Sequence, residues 1–228
     1  MKNILVLLAA LTLTAFAADP AELRQELEFP QRDLATFDQK LKAAQAAGVP
    51  ESETLLPQLA AAWVHGDAAR VHAALGKLSS PPERLPGAMG DFCPTLEEIK
   101  KLVEAAEANP KALADAMKTS RTNWLRREAV TTLEDLRLID AAVDQWAIEN
   151  NKTEGTPLGW AEVELYLKKG TRLQRTHSSV FGDAYGPRFF VNDPLPAIPA
   201  ATWKALESVV TWKFFKPYPI AGEGSAGK

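Results

Sequence analysis

The sequence predicts an α+β protein, mostly helical in its N-terminal part and mixed in its C-terminal part. Three observations carry this. Apolar residues recur every three or four positions from about Pro20 to Arg127, which lines them up on helix faces. A second, more strongly apolar helical face runs from Leu133 to Ala147. From Thr171 to Asn192 the residues turn β-favouring, with Gly182, Gly186 and Pro187 placed to make turns between short strands. A composition 46% hydrophobic and 24% charged belongs with ordinary globular proteins.

The first segment reads as an address. Met1 and Lys2 are followed by the apolar run Ile4 to Phe16, and Ala15-Phe16-Ala17 offers small residues where a signal peptidase cuts. A spanning helix needs roughly 20 apolar residues, and this run stops short at Asp19-Pro20. Residues 1–17 are therefore expected to be a cleaved signal peptide, with the mature chain starting near Ala18 in the periplasm or outside the cell. Cleavage removes only Lys2 from 26 basic residues set against 29 acidic ones, so the chain stays mildly negative. That argues against nucleic acid or an anionic lipid surface as a bulk electrostatic partner. A single cysteine, Cys93, cannot form an internal disulfide, so stability has to come from packing.

The helices follow in order. Leu34, Phe37, Leu41 and Ala44 share one face, and Gly48-Val49-Pro50 stops that helix. Leu55, Leu59, Ala62 and Trp63 mark the next, with Glu51 and Glu53 suited to its positive N-terminal end and Pro57 tolerated near its first turn. Gly66 can end that helix in the left-handed conformation, and Asp67 can cap the one carrying Val71, Ala74, Leu75 and Leu78. Helix, Gly-Asp turn and alanine-rich helix together resemble a tetratricopeptide-type hairpin, although no second copy recurs at a fixed period. Ser79 to Pro94 holds four of the 16 prolines and forbids regular structure. Thr95 and Glu98 form a capping box for a helix carrying Ile99, Leu102 and Val103. Asn109-Pro110 ends it, and Leu113, Ala116 and Met117 carry one more helix toward Trp124.

In the C-terminal part, Leu133, Leu136, Ile139, Ala142, Val143, Trp146 and Ala147 form one helix face closed by Asn150-Asn151. Trp146 is expected to pack against the later strands. Thr156-Pro157 reads as a helix start, with Thr as cap and Pro at the first position. Short strands are expected at Arg172–Gln174, Ser179–Phe181 and Arg188–Asn192, then a helix from Pro199 to about Val210 and an aromatic tail, Trp212 to Tyr218.

Leu136-Arg137-Leu138-Ile139-Asp140, the run Val143 to Lys152, Gly155-Thr156-Pro157, Tyr166-Leu167-Lys168 and Gly182-Asp183-Ala184-Tyr185-Gly186-Pro187 resemble the soluble, pilin-like domains of bacterial exported proteins related to type IV pilins and type II secretion pseudopilins. The resemblance covers roughly Leu125 to Tyr218 and implies a long helix packed on a small antiparallel sheet. Its Asp140-to-Lys152 block is the most specific part. The prepilin signal and long greasy stalk of true pilins have no counterpart, so the resemblance implies neither filament assembly nor any functional residue. The expected organisation is thus a leader at 1–17, a helical tetratricopeptide-like region at 18–124 and a pilin-like α+β region at 125–228.

Candidate chemistry is sparse. His65 and His72 fall on different helices without two further ligands in range, so no metal or cofactor site is expected. Arg175-Thr176-His177-Ser178-Ser179 offers a nucleophile and a base, but sequence neighbours rarely reach triad geometry. Glu97-Glu98 and Glu134-Asp135 read as solvated faces, Arg121, Arg126 and Arg127 as partners of Glu128 or of a preceding helix C-terminus, and Cys93 as a buried small residue. Trp203, Trp212, Phe214, Phe215 and Tyr218 are the candidate interaction patch, because aromatics exposed together mark binding surfaces. The expected function is a non-catalytic envelope or secreted interaction module, accessory to a secretion or surface-structure system. Its partner is another envelope or secreted protein, without nucleic acid and without stable membrane insertion after cleavage. The alternative is a secreted hydrolase whose site is assembled from distant residues.

Overall fold

The computed structural model describes residues 19–27, 31–78 and 93–222. The expected leader and almost all of the proline-rich break lie outside these residues. Helices α1 (Pro20–Leu27), α2 (Leu34–Ala46), α3 (Glu51–His65), α4 (Ala68–Lys77) and α5 (Leu96–Glu104) lead into α6 (Pro110–Glu149). After α6 come β1 (Pro157–Leu158), α7 (Trp160–Val163), a 3-10 turn (Glu164–Tyr166), α8 (Arg172–Thr176), β2 (Phe189–Phe190), α9 (Ala200–Leu206) and a 3-10 turn (Trp212–Phe215). The described chain is mostly helical with one small antiparallel sheet, an α+β arrangement in the coarse sense. Its sheet pairs Pro157 with Phe190 and Leu158 with Phe189.

Local chemistry sets the helix ends. Asp33 caps α2 by accepting from the Thr36 amide, and Asp67 caps α4 through the Arg70 amide. Gly66 closes α3 at φ 73°, a left-handed conformation that glycine reaches without a Cβ clash. The Thr95–Glu98 capping box opens α5, and Asn109 with Pro110 opens α6. Pro57 falls in the second turn of α3 rather than its first, so one interior ladder bond is missing there.

α6 is the spine of the molecule. It runs 40 residues without interruption, about 60 Å at 1.5 Å per residue. Two helices were expected over this stretch. The reason for one is that no Gly or Pro occurs between Lys111 and Glu149, while Leu113, Met117, Trp124 and Leu125 carry the buried stripe into Leu136 and Ile139. The expected boundary between residues 124 and 125 therefore falls in mid-helix. One core cluster joins Trp63, Val71 and Ile99 to Leu136, Ile139, Phe189 and Phe215 on the far side of it. A smaller cluster of Leu23, Leu27, Phe37, Ala44, Val49 and Ala61 sits between α1, α2 and α3.

Three expectations for the C-terminal part are corrected. Arg172–Gln174 is helical, because the Thr171 hydroxyl accepts from the Gln174 amide and starts α8. Ser179–Phe181 forms a turn beside an isolated bridge between Ser178 and Ala184. Pro157 begins a strand instead of a helix: Thr156 donates its hydroxyl to Thr153 O, and Glu162 reaches back 2.8 Å to the Gly159 amide, so the helix starts at Trp160. Trp146 is half-buried rather than central. Trp63 and Trp124 are the tryptophans that fill the core, 0% and 1% exposed.

Candidate functional site

The buried face of α6 carries a polar stripe. Arg121, Trp124, Glu128, Thr132 and Asp135 recur at three- and four-residue steps and therefore share one side of the helix. Arg121, Glu128 and Asp135 are seven residues apart, a spacing that drifts only about 20° around the axis.

Asp135 is the best-supplied member. Tyr185 Oη donates to its Oδ2 at 2.7 Å, and the Arg172 guanidinium pairs with the same oxygen while donating also to Ser178 O. Burial pushes the Asp135 carboxyl above the usual carboxylate range, and Arg172 and the Tyr185 hydrogen bond oppose that push. The same pairing and the burial around it raise the Tyr185 hydroxyl well above its ordinary value. Glu128 lies two helix turns away. Burial pushes it up to about 7, with the Trp124 indole, Arg172 and Arg127 opposing and Asp135 adding to the rise. The indole sits close enough to favour the carboxylate, yet Trp124 Nε1 and Thr132 Oγ1 are fully buried without a hydrogen-bond partner among the described residues.

The stripe is fastened to the N-terminal helices as well. Arg121 donates to His65 Nδ1 at 2.8 Å and to Val64 O at 3.3 Å, at the C-terminal end of α3. Because Nδ1 accepts, the His65 proton sits on Nε2 and donates to Gln31 O at 2.8 Å. Burial and Arg121 lower the His65 pKa, which keeps the ring neutral. Trp63 Nε1 donates to Ser120 Oγ at 2.8 Å, and Trp124 meets His65 and Phe181 edge-on. A second polar group ties Arg32 to Asp183 at 3.2 Å, with Thr202 Oγ1 lying 2.9 Å from Asp183 and 2.7 Å from buried Ser179.

The residues singled out in the sequence distribute unevenly. His177 stacks on Trp160 with centroids 4.3 Å apart and meets Glu164 at 3.1 Å, whereas Ser178 donates to Thr176 O. Among the described residues no serine is hydrogen-bonded to His177, so Ser178 and Ser179 form no nucleophile–base pair with it. Glu134 and Asp135 part company, because Glu134 is exposed and Asp135 is 4% exposed; only the first is a solvated carboxylate. Burial pushes the half-buried Cys93 thiol up to about 12. Among the described residues no group of three His, Cys, Asp or Glu could hold a metal ion.

The aromatic patch also divides. Phe215 and Tyr218 are core residues, 0% and 8% exposed, and do not face a partner. Trp203 is half-buried against Phe215. Trp212 and Phe214 stand out, 51% and 37% exposed, with Lys216 Nζ 4.5 Å from the Trp212 ring. Beneath them Phe214 packs edge-on against Phe215, and Tyr218 donates to Asp140 at 3.1 Å. A 3-10 turn sends successive side chains about 120° apart, which is why one phenylalanine of the pair goes in and the other out. Two hollows lie on the surface of the described residues. One, about 270 Å³, lies between α2 and α4 beside the Asp38–Arg70 ion pair; the other, about 210 Å³, lies beside His65 and Met117.

Sequence reasoning missed the Glu128–Asp135–Arg172–Tyr185 cluster. The signal available was the seven-residue recurrence of charged groups on a face otherwise occupied by Trp124, Leu125 and Leu136. Compared with known protein families, curated proteins and solved structures, the chain matches none.

Proposed function

We propose that this chain is a non-catalytic, exported interaction module, accessory to a secretion or surface-structure system, and that it docks through the turn Trp212–Lys216. The observation that carries the reading is the pairing of Trp212 and Phe214, held out at 51% and 37% exposure, with Phe215 and Tyr218 buried beneath them. Large aromatics fixed on a packed base lose little conformational freedom on binding, which is why such residues concentrate binding energy.

The pilin-like reading of residues 125–228 enters the same proposal. It is supported by the C-terminal half of α6 sharing a core with Leu158 and Phe189 of the small antiparallel sheet. Over the hydrolase alternative, the reading is supported by how the cluster on α6 is used. The oxygen of Asp135 is taken by Arg172 and Tyr185, which leaves it engaged within the fold.

Photo-crosslinking tests the docking role. With Phe214→p-benzoylphenylalanine in the intact producing cell, a discrete adduct is expected, and none with the same replacement at exposed Glu107. Equal labelling from both positions would remove the turn from the function.

A further inference from the structure

We infer that the turn at 211–217 is a foot for a membrane surface, seating the chain peripherally on the headgroups of an anionic phospholipid leaflet. This rests on the reading of the turn as the docking surface. The first argument is charge. From Ser208 to Gly222 the chain has two lysines, Lys213 and Lys216, and no Asp or Glu, on a protein whose formal net charge is −3. The negative chain as a whole is repelled by anionic lipid, so attraction has to be local, and this turn supplies it.

The second argument is the kind of side chain. Trp and Phe beside Lys is the combination that settles at a bilayer interface, rings at headgroup level and ammonium groups on phosphate. Here Thr211, Trp212, Lys213, Phe214, Lys216 and Pro217 are all exposed, and Phe215 alone points into the core. A fluid headgroup layer accommodates exposed rings and ammonium groups in any arrangement, whereas a protein partner has to present a surface that matches them.

The third argument is support. Phe215 is packed by Trp203 and Phe214, and Tyr218 is tied to Asp140, so the turn can press into a headgroup layer without unfolding. Among the described residues no helix is long and apolar enough to cross a membrane. The proposed contact is a surface one, made by the exposed side chains of the turn.

Co-sedimentation of residues 18–228 with phosphatidylcholine vesicles, with and without phosphatidylglycerol, tests this. Binding is expected to the phosphatidylglycerol vesicles and to weaken with salt. Lys213→Gln/Lys216→Gln should lower the partition coefficient roughly thirtyfold at low salt, at about five- to sixfold per lysine. Trp212→Ala/Phe214→Ala should lower it at least about tenfold at any salt, because it removes buried apolar area and no charge. The lysine variant changes exposed side chains, whereas the aromatic one also removes the Phe214–Phe215 edge contact, so a melting transition well above the assay temperature serves as the folding control for both. A wild type that stays in solution with phosphatidylglycerol vesicles, or one bound no better than either variant, overturns the membrane foot. The photo-adducts from position 214 separate the two readings. A lipid adduct supports both, a discrete protein adduct overturns the membrane occupant and leaves the docking role, and labelling no greater than at Glu107 removes both.

Discussion

Replacing Glu128 by glutamine should make the protein more stable at alkaline pH and leave it unchanged near pH 4. The reasoning starts from a carboxyl whose ordinary pKa of 4.5 is pushed to about 7 in the fold by burial. Below about 4.5 the group is protonated whether the chain is folded or not, and it contributes nothing. Between about 4.5 and 7 the unfolded chain ionises while the folded one keeps its proton, so stability falls as pH rises. Above about 7 the full loss is present and constant. A gap from 4.5 to about 7 is worth at most about 3 kcal/mol. Glu128 is half-buried, so solvent reduces this, and about 1–2 kcal/mol is the expected gain for Glu128→Gln at about pH 8. Other groups titrate across the same range. Asp135 is raised with the same sign, while the lowered His65 destabilises in the opposite direction as pH falls below its ordinary 6.5. Subtracting the variant's urea-melt profile from the wild type's cancels His65 and leaves Glu128 together with its coupling to Asp135. A variant no more stable than wild type at about pH 8, with a parallel profile throughout, would refute the argument. It would mean that Arg127 and Arg172 satisfy the charge in the folded state.

Four other outcomes follow from the same structure. Asp135→Ala should cost about 3–5 kcal/mol in chemical denaturation, because it strands the Arg172 guanidinium and the Tyr185 hydroxyl. Trp124→Ala should cost about 3–5 kcal/mol and half-buried Trp146→Ala only about 1–2 kcal/mol; equal losses would contradict the burial difference. Cys93, with its thiol held at about 12, should react with a thiol reagent at neutral pH far more slowly in the native protein than in urea. Protein isolated from the producing cell should begin at Ala18 by N-terminal sequencing, and a retained Met1 would overturn the leader reading.

What was legible in the sequence was local. Gly66, Asp67 and Thr95 with Glu98 act within a few residues of themselves, so their roles can be read without a fold, whereas Asn109-Pro110, expected to end a helix, opens α6, and the Asp33 cap of α2 was not singled out. The C-terminal part was harder because its conformation answers to distant groups. Arg172 and Tyr185 bond to Asp135 across 37 and 50 residues, and a β-favouring composition at 172–181 could not compete with those anchors and the Thr171 cap. The aromatic tail lies between these cases. Its composition announced a patch, but only the 3-10 geometry of Trp212–Phe215 decides that Trp212 faces out and Phe215 faces in.

The buried ion pair at Asp135 is better understood as a device for orientation than as a source of stability. Removing two charges from water costs several kcal/mol per ion, which their attraction inside the protein only partly returns. Residues 171–199 have little regular secondary structure, and apolar contacts such as those of Leu173, Phe181 and Phe189 are non-directional, so they would tolerate many arrangements on α6. Directional bonds remove that freedom. Arg172 and Tyr185 meet at one oxygen of Asp135, and Arg172 also holds Ser178 O, which fixes both ends of the loop between α8 and the Tyr185 turn. Arg121 and Ser120 do the same about four turns nearer the N-terminus of α6, holding His65 and Trp63 of α3. α6 thereby carries the N-terminal helices and the C-terminal segment in one fixed relation. The turn bearing Trp212, fastened to the same helix through Tyr218 and Asp140, is presented by that relation and not by its own short sequence.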